Sequence, residues 1–146
     1  MSKVEQFLTE EAEVKIIEAI RLAEKDTSGE IRVHIEKKCS KEKAFDRAVD
    51  VFHLLKMDQT KLRNGVLFYV AVVDKKFVIC GDEGIDKVVP KNFWESTKDI
   101  VTGFFKEGHY DAGLVAGIHE AGMQLKKHFP YLDNDKNELS DSISKG

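Results

Sequence analysis

Gly81-Asp82-Glu83-Gly84-Ile85-Asp86 places three carboxylates within six residues, directly after a stretch that reads as a β-strand. Hard divalent cations such as Ca2+ take about six to eight oxygen ligands, largely carboxylate, carbonyl and water. Gly81 and Gly84 give the backbone the freedom to turn several oxygens toward one point. A loop leaving a strand end is also where open α/β sheets place ligands. Asp58 and Arg63-Asn64-Gly65 lie in the loop that enters the preceding strand of the same hairpin, so they reach the same sheet end. There, the Asn64 side chain or backbone carbonyls would add neutral oxygens. A third acidic turn, Lys106-Glu107-Gly108-His109-Tyr110-Asp111, joins the last two helices. The candidate ligand set is therefore Asp82, Glu83 and Asp86, with Asp58, Glu107 and Asp111 from the other turns. The competing account is that these are ordinary solvated turns, in which Gly and Asp are common.

Other patterns fall short of the chemistry they approach. His119-Glu120 starts a zinc-protease helix, but Met123 occupies the position of the second histidine. Asp133-Asn134-Asp135-Lys136-Asn137-Glu138 starts like an EF-hand loop, yet Glu138 replaces the glycine of the turn and Ser144 the bidentate glutamate. No glycine loop followed by Lys-Ser/Thr is present to cradle phosphate, and neither cysteine has the downstream arginine of a cysteine phosphatase. The five histidines are scattered, and each reads as a structural or surface residue.

Composition narrows the function classes. The chain has 146 residues, enough for one domain; 42% are hydrophobic and 34% charged, as in a folded globular protein. The net charge of −3 gives no electrostatic reason to bind nucleic acid or an anionic membrane. The longest apolar run, Val66 to Val73, is far short of the roughly 20 residues that a membrane span needs. The N-terminus carries no apolar signal core. Cys39 and Cys80 form no Cys-x-x-Cys pair and suggest reduced thiols in a cytoplasmic setting.

These turns must be positioned by regular elements. Residues 9–25 show apolar positions at helical spacing (Ala12, Ile16, Ile20, Ala23) behind a Thr9-Glu10-Glu11 start. Glu30 to Glu36 alternates strictly, which predicts a strand with Ile31, Val33 and Ile35 buried and His34 facing outward. A helix follows over about 41–55, then a polar loop to Asn64. Val66–Val73 is apolar on both faces and reads as a central strand that pairs with Phe77–Cys80. Pro90 suits the first turn of a helix that runs to Gly108, and a last helix spans about 111–128. The fold expected is α/β, a three-layer αβα sandwich with a small mixed central sheet of about four strands. Residues 1–130 form the single domain. The remainder, 131–146, is an acidic tail poor in apolar mass and expected to be disordered.

Asn64-Gly65-Val66-Leu67, the Gly81–Asp86 loop, and Phe105-Lys106-Glu107-Gly108-His109-Tyr110-Asp111-Ala112-Gly113-Leu114 together resemble the TPM domain family, over about Phe7 to His128. That family includes thylakoid-lumen proteins involved in photosystem repair and many bacterial relatives. The resemblance implies an αβα sandwich and, in some members, divalent cations that stabilise loops at one end of the sheet. It also implies an acid phosphatase activity for the plant branch. Asp86 stands where relatives often carry a glutamate. This chain departs from the family in lacking a signal peptide and membrane segment, and in the extra acid of Asp82-Glu83. The expectation is a stand-alone, cytoplasmic domain that binds Ca2+ or Mg2+, with metal-dependent loop ordering that an unidentified protein partner could read. A metal-assisted phosphatase and a metal-free interaction module are the alternatives.

Overall fold

The computed structural model describes residues 8–131 and 141–146. Helix α1 (Glu10–Glu24) begins where the Thr9 hydroxyl accepts a hydrogen bond from the Ala12 amide at 3.1 Å, with Glu10, Glu11 and Glu13 in its first turn. It buries Ala12, Ile16, Ala19, Ile20 and Ala23, a stripe at helical period. Strand β1 (Glu30–Glu36) pairs in parallel with β2 (Gly65–Ala71), from Glu30↔Gly65 to Glu36↔Ala71. β2 turns back into β3 (Lys76–Gly81), antiparallel from Val66↔Gly81 to Ala71↔Lys76. A short β4 (Ser144–Lys145) adds in parallel to β1, so the sheet order is β3-β2-β1-β4. All seven residues of β2 are buried, as its apolar sequence requires of a strand covered on both faces.

Helix α2 (Ala44–Leu54) covers one face, packing Ala48, Val51 and Phe52 with Met57 over Leu67, Tyr69, Ala71 and Cys80. The other face takes Ile31, Val33, Ile35, Val66, Phe68 and Val70 beneath α1, α4 (Glu95–Lys106) and α5 (Tyr110–His128). The three-layer sandwich is therefore present. Between β3 and α4, Glu83–Asp86 forms one helical turn, α3, where the sequence suggests an open loop. Helix α4 starts at Glu95 and not at Pro90, because residues 90–94 close tighter turns, Phe93 N–H to Pro90 O and Glu95 N–H to Asn92 O. No helix among the described residues is long and apolar enough to cross a membrane.

Two expectations fail at β1. Its second face is not wet: His34 is 6% exposed and Glu36 4%. Glu36 accepts hydrogen bonds from Arg47 Nε and Nη2 (3.0 and 2.9 Å), from the Tyr69 hydroxyl, and from His34 Nε2 at 3.0 Å. Because a carboxylate only accepts, His34 donates from Nε2, and its Nδ1 accepts from the Ser144 hydroxyl at 2.9 Å. The second failure is the tail. Residues 132–140 lie outside the described residues, but 141–146 dock along β1. Ile143 is buried in the α1-side core, Gly146 N–H donates to Ile35 O, and Lys145 pairs with Glu13 at 3.0 Å. The Asp141 carboxyl meets Glu24, which also accepts from the Ile31 amide.

These two carboxyls have opposite pH signatures. Burial alone would raise Glu36, but hydrogen bonds from Arg47, Tyr69 and His34 outweigh it and hold the carboxyl at about 2. Its contribution to stability is present above its ordinary value of 4.5 and is lost as pH falls through 4.5 toward 2. Burial first, then the Asp141 contact, raise Glu24 from 4.5 to about 9, so its contribution is full below 4.5 and declines as pH rises toward 9. Urea unfolding midpoints against pH should therefore fall on both flanks. Glu36→Gln should flatten the acid limb and lower the whole curve, whereas Glu24→Gln should flatten the alkaline limb alone.

Candidate divalent-cation site

The hairpin register dictates which loops meet. One step beyond Val66↔Gly81 sets Gly65 beside Asp82, and two further steps set Arg63 beside Gly84. The backbone continues the ladder through both steps: Asp82 N–H donates to Gly65 O and Gly84 N–H to Arg63 O, each at 2.9 Å. The loops lie so close that a Cβ on Gly84 would stand 2.3 Å from Leu62 O and 2.5 Å from Arg63 O. Only glycine fits there.

Asp82 caps α3, accepting from the Glu83 amide at 2.7 Å, and is 5% exposed. A carboxylate buried to that degree needs a counter-charge. Arg63 supplies it bidentately, Nε to Oδ2 at 2.9 Å and Nη2 to Oδ1 at 3.0 Å, while its Nη1 lies 3.2 Å from Glu83 Oε1. Arg63 itself sits at φ 51°, a left-handed conformation that non-glycine residues seldom hold.

The remaining acids sit around this pair or away from it. Partial burial and then the charge of Asp82 raise the Asp86 carboxyl above its ordinary value. Asp58, in the 3-10 turn Met57–Gln59, is held below its ordinary value by a hydrogen bond with Gln59 and by the charges of His53 and Arg63. Its Oδ2 lies 3.5 Å from His53 Nδ1. Burial pushes the Cys80 thiol up to about 11, with the charges of Asp86 and Asp82 adding to the effect.

Three of the expected contributions fall elsewhere. The Asn64 side chain donates from Nδ2 toward Ser28 Oγ at 3.4 Å and the Asn64 backbone carbonyl accepts from the Glu30 amide, so the residue serves the β1 entry and not the acids. Glu107 ends α4 beside Ala71 and Lys76, 3.9 Å from His109. The hairpin ladder separates that end from Gly81 by roughly 17 Å at the rise of an antiparallel strand. Asp111 opens α5 against α1, near Lys15, Glu18 and His119. Four acids therefore share one end (Asp58, Asp82, Glu83, Asp86), while Glu107 and Asp111 do not join them.

Among the described residues, no group of three or more His, Cys, Asp or Glu side chains has the spacing to hold a metal ion. The donors have the right chemistry for a hard cation, but both Asp82 oxygens already accept hydrogen bonds, from Arg63 Nε and Nη2 and from the Glu83 amide. The arrangement fits a cation only if Arg63 withdraws. Arg63 itself was legible in outline: it is the one basic residue in the loop stretch Arg63-Asn64-Gly65, across the hairpin from the acids.

Loop contact can be tested without any ligand. Gly84→Ala should push the loops apart and lower the urea unfolding free energy by roughly 1–3 kcal/mol. Gly103→Ala, in α4 with nothing within 4 Å of the added Cβ, should raise it by up to about 1 kcal/mol.

The chain matches the TPM domain family over residues 1–124. It is also similar to the BA42 protein from the psychrophilic bacterium Bizionia argentinensis, solved by NMR, at 59% identity over the whole of both chains and a TM-score of 0.92. No curated protein sequence matches it significantly.

Proposed function

This chain belongs to the TPM domain family, and on that premise we propose that it acts as a stand-alone domain whose loops respond to Ca2+ or Mg2+. The cation competes with Arg63 for the carboxylates of Asp82 and Glu83, with Asp86 and Asp58 as neighbouring oxygen donors. The observation that carries this reading is the Arg63 clasp: one guanidinium, with a side chain 38% exposed, neutralises two acids in loops that only glycine allows to touch. An internal, partly exposed counter-ion is one that a divalent cation can replace. Replacement would release the Arg63 backbone from its left-handed conformation and reorder residues 60–64 and 82–86. A protein partner could read that change as a signal. Cys39 and Cys80, both unpaired, agree with a reducing cytoplasmic setting.

The engagement of Asp82 by Arg63 favours a second reading, a metal-free interaction module with Arg63 as a permanent structural counter-ion. A metal-assisted phosphatase ranks behind both, because the arginine closest to the acids is already engaged by Asp82 and Glu83.

Calorimetric titration with CaCl2 and with MgCl2, paired with amide shift mapping, distinguishes them. Saturable heat is expected, with shifts at 58–64 and 82–86 and a stabilisation of about 2.7 kcal/mol at one hundred times Kd. Arg63→Ala should melt at a lower temperature without cation, yet bind Ca2+ more tightly than the parent chain. Absence of heat, of shifts and of any change in Tm with either ion rejects cation binding. Unimproved binding by Arg63→Ala rejects the competition.

A further inference from the structure

The sheet has two edges, and the described residues cover only one of them. β4 pairs along β1, whereas β3 has β2 on one side and no strand among the described residues on the other. Which backbone groups face that open side follows from the parity of the ladder. Val72 N–H donates to Glu36 O and Asn64 O accepts from the Glu30 amide, so the even-numbered residues of β2 bond toward β1 and the odd-numbered ones toward β3. Asp82 N–H, bonded to Gly65 O, extends the same pattern: the even-numbered residues of β3 bond toward β2. The N–H and C=O groups of Phe77, Ile79 and Gly81 therefore point out of the open edge, and the backbone of no other described residue meets them.

The strand does nothing to obstruct pairing there. Phe77-Val78-Ile79-Cys80 contains no proline and no charge, and the register from Val66↔Gly81 to Ala71↔Lys76 runs without a bulge, so the usual devices against edge pairing are missing from it. Beside the edge lies a cavity of about 360 Å³, lined by Phe77, Ile79 and Gly81 together with Trp94 and with Phe45, which is 55% exposed. Charge reverses along the strand. Lys75 and Lys76 stand where it begins, Asp82 and Glu83 where it ends, and of these Lys75 and Glu83 are exposed.

We propose that β3 pairs antiparallel with β3 of a second copy of this chain, about a two-fold axis at Ile79, joining the two four-stranded sheets edge to edge. Only odd-numbered residues face outward, so odd must pair with odd, and a centre at Ile79 is the register that uses all three. Phe77 then meets the partner's Gly81 and Ile79 the partner's Ile79, each pair exchanging two hydrogen bonds. The same register sets Lys75 opposite the partner's Glu83, twice by symmetry. A two-fold contact requires a surface complementary to itself, and the reversal of charge along β3 supplies it. That complementarity singles out a second copy over an unrelated strand. The inference does not rest on the cation reading, and EDTA keeps divalent ions out of its test.

Sedimentation velocity of the full chain in EDTA, from about 10 µM to about 1 mM, should show a monomer–dimer equilibrium. Hydrogen exchange followed by NMR should slow at the amides of Phe77, Ile79 and Gly81 as dimer forms. The amides of Val78 and Cys80, bonded to β2, should be protected at every concentration. Lys75→Glu and Glu83→Lys each bring like charges together twice and should weaken the dimer about tenfold. An equimolar mixture of these two variants should associate about as tightly as the parent, because each chain then meets opposite charges in the other. Mixing cannot rescue a misfolded chain, so that recovery reports the contact itself. A monomer at every concentration, a dimer whose three outward amides exchange as in the monomer, or a mixture no tighter than its components would overturn the proposal.

Discussion

Asp82 can be buried only because Arg63 faces it, and the whole lower end of the sheet is organised by that requirement. The carboxylate is needed where it is: it caps the single turn Glu83–Asp86, and that turn delivers Ile85, fully buried, into the core under α4 and α5. Remove the counter-charge and the cap becomes an unpaired buried ion, which costs several kcal/mol or forces the group to protonate or surface. Arg63 meets the need from a left-handed backbone, a conformation that costs roughly 1–3 kcal/mol where the surroundings hold it. Gly84 follows from the same constraint, since the two loops cannot approach closely enough with any side chain between them. Charge, backbone conformation and glycine are thus one solution and not three separate features.

The direction of the strands gives the two ends of the hairpin different characters. Gly81 is the carboxyl end of β3, but β3 runs against β1 and β2, so the acid loop lies at the amino end of the parallel pair. The rule that ligands sit at the carboxyl ends of strands, applied to β3 alone, points to the acids. Applied to the parallel pair, it points to the opposite end of the hairpin, where Lys75, Lys76 and Lys106 line a cavity of about 760 Å³. A net charge of −3 conceals this polarity: a cluster of carboxylates at one end and a lysine rim at the other.

Patterns that depend on one element at a time were legible in the sequence. The α1 stripe, the fully buried β2 and the hairpin into β3 all follow from period and composition, and together they define the three layers. What escaped depends on partners distant along the chain. The alternation of β1 marks its second face as polar, which is correct, and as wet, which is not: Arg47 from α2, Tyr69 from β2 and Ser144 from the tail turn it into a buried network. A polar residue satisfied by donors distant along the chain has the same local sequence as one satisfied by water. The acid loop shows the same limit. Its carboxylates were visible, but whether they were vacant or already paired depended on the conformation of Arg63, and on a positive φ that no local pattern announces. Glu107 and Asp111 resembled the others in type and lay in a turn of similar character, yet only the sheet's length reveals that they belong to the other end.

The docked tail follows from the edge that β1 would otherwise present. A strand with one unpaired side is a template for further pairing, and β1 carries it next to a network in which Glu36 must stay satisfied. Ser144 and Lys145 cover the part of that edge opposite His34 and Ile35. The Ser144 hydroxyl donates to His34 Nδ1, which leaves Nε2 as the protonated nitrogen and therefore as the donor to Glu36. Burial lowers the His34 pKa and so favours the neutral ring, and the tail contact suits the tautomer of that ring that donates to Glu36. A two-residue strand is too short to hold by backbone pairing alone. Its attachment rests on Ile143 in the core and on side chains at Glu13, Arg21, Glu24 and His34, so α1 and β1 are joined by the same short segment that completes the sheet.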